Sequence, residues 1–66
     1  MIKGNVIKEQ REKLNMTQDA LAIACGYTNK STICKLENGK LIDIPVSKAV
    51  MIARTLGLKL EDIIKG

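Results

Sequence analysis

The sequence predicts an all-α fold of five short helices making one small domain over residues 1–66. Three observations lead there. The apolar 45% of the chain is Leu, Ile, Val, Ala and Met apart from Tyr27 and the two cysteines, with one Pro and few alternations of strand period. Apolar residues recur at helical spacing, and Asn15, Gly26, Asn38-Gly39 and Gly57 stand where those runs stop. A chain of 66 residues has room for one modest core, so the helices must share it.

The first helix covers about residues 3 to 14 and sets Ile7, Arg11 and Leu14 on one face. Asn15-Met16 ends it, and Thr17 is a good N-cap for the next helix, with Asp19 in the first turn matching the helix dipole. Helix two runs from about Gln18 to Cys25, with Leu21, Ala22 and Cys25 inward, and Gly26 is suited to a left-handed C-terminal position. Tyr27-Thr28-Asn29 forms the turn. Asn29 or Thr28 caps a third helix from about Lys30 to Glu37, whose inward residues are Ile33 and Leu36. Asn38-Gly39 breaks it, and Lys40 to Pro45 is a loop. The fourth helix, about Val46 to Leu56, turns Ala49, Ile52, Ala53 and Leu56 inward before Gly57. The last, about Leu60 to Ile64, is too short to stand without tertiary packing.

Eleven Lys and Arg against seven Asp and Glu give a net charge of +4 and a pI near 9.3, an excess that favours a polyanionic partner. There is no histidine, and Cys25 and Cys34 alone cannot complete a four-ligand zinc site. They flank a turn and read as reduced thiols of a cytoplasmic domain rather than a disulfide. Without His, a Ser or Cys nucleophile lacks its ordinary base, so catalysis is not expected and no cofactor is implied. Charges recur too often for a membrane span, and no apolar stretch after Met1–Asn5 resembles a signal peptide. The expected location is the cytoplasm.

Thr17 to Gly39 is the informative segment. Two helices joined by a tight glycine turn cross steeply only if the contact is made of small residues; Ala22 and Gly26 supply them. Ile33 and Leu36 pin the third helix from behind. Its outward face then carries Lys30, Ser31, Lys35 and Asn38, which are donors, a hydroxyl and an amide, with Glu37 the only acid. That chemistry suits a helix lying in the major groove of double-stranded DNA.

The runs IKEQREKLNMTQDALA, STICKLENGK and IPVSKAVMIARTLGLKLEDI together resemble the Cro and phage-repressor (XRE) family of helix-turn-helix regulators over almost the whole chain. Thr17-Gln18, the Ala22-to-Gly26 spacing, Ile33-x-x-Leu36-Glu37-Asn38-Gly39 and Ile52-Ala53-x-x-Leu56-Gly57 occur in the family's order. The resemblance implies a lambda-repressor-like domain acting as a transcriptional regulator, a repressor that binds an inverted repeat as a homodimer. It puts Gln18 on a phosphate at the start of helix two, with that helix's amides aimed at the backbone. It puts Lys30, Ser31 and Lys35 on base edges, where lysine favours guanine N7 and O6, and Thr32 near the phosphates. Asn38 and Lys40 would hold the next phosphates. Arg11 and Glu37 match a family pair tying helix one to the end of helix three, with spare Arg11 donors available to a phosphate.

Two departures stand out. One extra residue, Thr28 or Tyr27, lies between Gly26 and Ile33; it either lengthens the turn or adds to the recognition helix, and leaves open whether Asn29 or Lys30 reaches the bases first. Gln10 replaces a residue that is often leucine in the family.

Other residues carry two readings. Arg11–Glu37 is a partly buried structural pair or an ordinary surface ion pair, the former being favoured. Cys34 is a plain small residue or an oxidation switch on the recognition helix. Tyr27 covers the turn or bonds a phosphate. Leu58, Leu60, Ile63 and Ile64 exceed what one small core needs, and Ile23 and Met51 are further candidates for exposure. The family resemblance implies a dimer interface there, through Leu58 and Leu60. The competing function is an antitoxin or other interaction module of the same fold, masking a protein partner with an apolar patch.

Overall fold

A computed structural model describes residues 1–65; Gly66, the last residue of the expected domain, lies outside them. The elements are α1 (Gly4–Lys13), α2 (Gln18–Ala24), α3 (Ser31–Glu37), α4 (Val46–Thr55) and α5 (Leu60–Ile63). The all-α expectation holds with all five helices in place, each shorter by one or two residues than the sequence suggested. The trimmed residues are caps: Leu14, Cys25 and Leu56 follow the last helical residue, and Asn15, Gly26 and Gly57 after them adopt left-handed backbone. At Asn15 (φ 55°) and Gly26 (φ 82°) the reversal closes the helix end with a further backbone bond, Met16 N–H to Arg11 O at 3.0 Å and Tyr27 N–H to Ala22 O at 2.9 Å.

The core is a single cluster built from every helix: Ile7, Leu21, Ala22, Cys25, Ile33, Leu36, Ala49, Ile52, Ala53, Leu56 and Ile63. α2 packs on α3 and α4, while α1 bridges α3 and α5. One inward assignment fails. Leu14 is 47% exposed, because it caps α1 and the chain swings away at Asn15 before the face reaches the core.

Ile63, counted from sequence as surplus, is fully buried in the chain's own core, with Leu58, Leu60 and Ile64 half-buried against it. The ends of the chain meet. Ile2 pairs antiparallel with Ile64, and the backbone bonds Lys3 N–H to Ile63 O (2.7 Å) and Lys65 N–H to Met1 O (2.8 Å) flank that pair. Ile2 N–H also donates to Ile42 O in the α3–α4 loop at 2.7 Å, which buries the Ile2 side chain. Among the described residues no helix is long and apolar enough to cross a membrane.

Candidate nucleic-acid interface

α2 and α3 form a corner whose inner side is apolar and whose outer side is polar. Ile33 and Leu36 are buried to 0% and 1% exposure, so α3 cannot roll without uncovering them. Ser31, Lys35 and Asn38, spaced by four and three, then form one exposed stripe. Asn29, Lys30 and Lys40 are exposed at its two ends, and Thr32 is half-buried beside it. Both lysines expected to face outward do so.

The extra residue, Thr28 or Tyr27, lies outside α3. α3 starts only at Ser31, and the chain from Cys25 to Lys30 links the two helices. Asn29 is the cap: its Oδ1 accepts the Ser31 N–H at 2.9 Å, while Lys30 already has helical backbone (φ −76°, ψ −4°). At the other end Asn38 Oδ1 accepts the Lys40 N–H at 3.0 Å, closing a turn just beyond the helix.

Arg11 and Glu37 form the buried pair that the sequence favoured. Arg11 Nε donates to Glu37 Oε2 at 2.7 Å and Nη2 to Oε1 at 3.1 Å, with both side chains almost wholly enclosed. Arg11 Nη1 donates to Met16 O at 2.6 Å, and the Glu37 bonds push the guanidinium pKa above its ordinary value, against desolvation. Gln18 joins them, Nε2 donating to Glu37 Oε1 at 3.0 Å. Glu37 therefore fastens α3 to both α1 and α2.

A primary amide carries two N–H donors, so Gln18 keeps one uncommitted to Glu37. The amides of that helix end are less available: Thr17 Oγ1 already accepts the Ala20 N–H at 3.0 Å, and Asp19 puts negative charge in the same turn. Gln10, the other departure, also finds a partner, Nε2 donating to Leu56 O at 3.1 Å.

Lys48 is the positioning group that sequence reading missed. It stands in the first turn of α4, where a cation opposes the helix dipole. Its Nζ reaches across to the carbonyl of Cys25, the C-cap of α2, at 2.8 Å and lies 4.9 Å from the centre of the Tyr27 ring. The unfavourable placement in its own helix was the available signal. Tyr27 itself is half-buried against the core and covers the turn, and burial raises its pKa.

Both cysteines are free. Cys25 is fully buried and desolvation raises its thiol pKa, whereas Cys34 is half-buried on α3. A neutral-pH titration with a small aromatic disulfide reagent is expected to label Cys34 alone, Cys25 reacting only on denaturation. Two equally fast thiols would contradict this burial pattern. Among the described residues no group of three or more His, Cys, Asp or Glu could hold a metal ion. Leu58 and Leu60 are half-buried against the core, while Ile23 (66%) and Met51 (37%) stand exposed.

Comparison with known proteins agrees with this geometry. The helix-turn-helix family matches residues 7–63. An uncharacterized HTH-type transcriptional regulator of Archaeoglobus fulgidus is 46% identical over 57 residues, an overlap of 86% of this chain and 78% of that protein. The crystal structure of apo-HppE superposes with a TM-score of 0.78 at 26% identity over 94% of this chain. The match spans only 35% of the apo-HppE chain.

Proposed function

This chain belongs to the helix-turn-helix family, and from that premise we propose that it is a DNA-binding transcriptional regulator that acts as a repressor. The observation that carries the reading is the exposed stripe Ser31, Lys35 and Asn38, with Lys30 and Lys40 at its ends, on a helix locked from behind. An exposed cation-bearing helix face meets base edges in the major groove while flanking residues hold phosphates. Lys30, Ser31 and Lys35 are proposed as base readers, with Asn29 entering first from the turn. Gln18, Thr32, Asn38 and Lys40 serve the backbone. Two copies joined through the Leu58–Leu60 edge would place two such helices on the halves of an inverted repeat and exclude polymerase from it. The proposed setting is the cytoplasm.

Lys35→Ala is expected to weaken binding to a selected operator by about 1–3 kcal/mol and to relax preference at one base pair. Titrations against an operator panel varied one base at a time measure both quantities. An equal loss on every sequence would reassign Lys35 to a phosphate. Lys40→Ala should instead lower affinity uniformly and reduce the salt dependence.

Exposed Ile23 and Met51 support a second reading, in which this surface masks a protein partner. Its mark would be a foreign protein co-purifying in stoichiometric amount and lost on Ile23→Lys. The two roles are compatible in one chain.

A further inference from the structure

On the DNA-binding reading above, we infer that Lys48 is a positioning residue for base recognition. It holds the α2–α3 turn against α4 and so fixes the leading half of the reading surface, which carries Asn29, Lys30 and Ser31. The two ends of α3 are secured by different means. At the C-terminal end Glu37 is bonded to Arg11 of α1 and to Gln18 of α2. The N-terminal end has only a local bond, from the Ser31 N–H to Asn29 Oδ1, which travels with the turn. From Thr28 to Ser31 every residue is exposed, and the core takes hold of the chain only at Ile33.

Lys48 supplies the missing tie. Its ammonium donates to the Cys25 carbonyl and stands over the Tyr27 ring, gripping the chain on both sides of Gly26. Gly26 leaves room for it: a Cβ built there would lie 2.8 Å from Nζ. Among the described residues no backbone N–H is bonded to Cys25 O, so the lysine is that carbonyl's partner. Tyr27 is bound in turn to the end of α2, its N–H donating to Ala22 O. The charge is placed for α2 and against α4, since it faces the negative end of the former from the first turn of the latter. The contact is part-buried, where a charged hydrogen bond is stronger than on an open surface. Base reading tolerates little play, because a side chain displaced from its base edge loses the bond.

The test compares the whole chain with Lys48→Met, which keeps the stem and removes the ammonium. Lys48→Arg is the rescue variant, with a charged donor that can also stack on the ring. Without DNA, amide hydrogen exchange in Lys48→Met should quicken about tenfold at Gly26, Tyr27 and Ser31. Met16 and Leu41, whose amides are bonded to Arg11 O and Lys35 O, should keep the parent's rates. With DNA, Lys30→Ala, Ser31→Ala and Lys35→Ala first identify which base pairs of a selected operator depend on each half of α3. In Lys48→Met, discrimination at the leading-half positions should fall about tenfold while the Lys35 positions hold, and Lys48→Arg should restore most of it. An equal fall at both sets, or faster exchange throughout the chain, would overturn the inference and make Lys48 a general support of the fold. Faster turn exchange with unchanged discrimination would also overturn it, as would parent-like behaviour in both arms. A leading half that no substitution ties to a base pair has the same consequence, with DNA binding left intact. A parent chain that enriches no sequence from a random pool defeats the DNA-binding reading itself, and turn exchange then still shows whether the clamp exists.

Discussion

Glu37→Ala is expected to destabilise the protein by about 3–5 kcal/mol, a large share of its total stability. Glu37 satisfies Arg11 through two bonds and Gln18 through a third, in a site almost closed to water. Removing one partner of a buried pair leaves an uncompensated charge and costs about 3–5 kcal/mol. A domain of this length has a total stability of about 3–10 kcal/mol, so the loss consumes much or all of it. Arg11 cannot escape by giving up its proton, since guanidinium stays charged throughout the working pH range. Replacing both members, Arg11→Met with Glu37→Leu, removes the stranded charge and should recover much of the loss. Urea denaturation followed by circular dichroism measures the three proteins. A loss below about 1 kcal/mol for Glu37→Ala would reduce the pair to a surface contact.

Gly4→Ala is expected to destabilise the protein even though alanine is the better helix former. At a helix interior that exchange gains up to about 1 kcal/mol, and less at the end, where Gly4 sits. Here the added Cβ would clash with the Leu36 carbonyl oxygen and come within 2.8 Å of its carbon and 3.2 Å of Glu37 Cα. All three are backbone atoms and cannot rotate aside. α1 must therefore back away from α3, at about 1–3 kcal/mol or more. Because α1 carries Arg11, the same displacement loosens the Glu37 anchor and the pose of the reading helix. The measurement is again urea denaturation, joined to operator affinity. A more stable Gly4→Ala protein with unchanged DNA binding would mean the close approach does not exist.

These two positions mark what the sequence could and could not disclose. Helix identity was legible because Asn15, Gly26, Asn38-Gly39 and Gly57 punctuate apolar runs of helical period, and that signal is local. The Arg11–Glu37 pair was legible through the family resemblance, but its third member was not: Gln18 reads equally well as a phosphate ligand until α2 is set beside α3. Gly4 gave no sign, since a glycine at a helix start is common and its reason lies in a carbonyl more than thirty residues away. Ile2 and Ile64 pair through a few extended residues, too few to show a period. Lys48 needed both helices in place. The backbone bonds accepted by Asn29 and Asn38 depend on turn geometry that residue type alone does not specify.

The meeting of the chain ends bears on the order of assembly. Contacts of α2 with α3 and of α4 with α5 join neighbours along the chain and can form early, whereas Met1 meets Lys65 across a separation of 64 positions. Closing that span in an otherwise open chain would cost several kcal/mol of entropy, about 4 by the logarithmic rule, for a handful of bonds. Once α1 and α5 have docked, the same closure is nearly free. The terminal clasp is thus a late event in folding and one of the first things to come undone, a latch that engages only on a finished molecule.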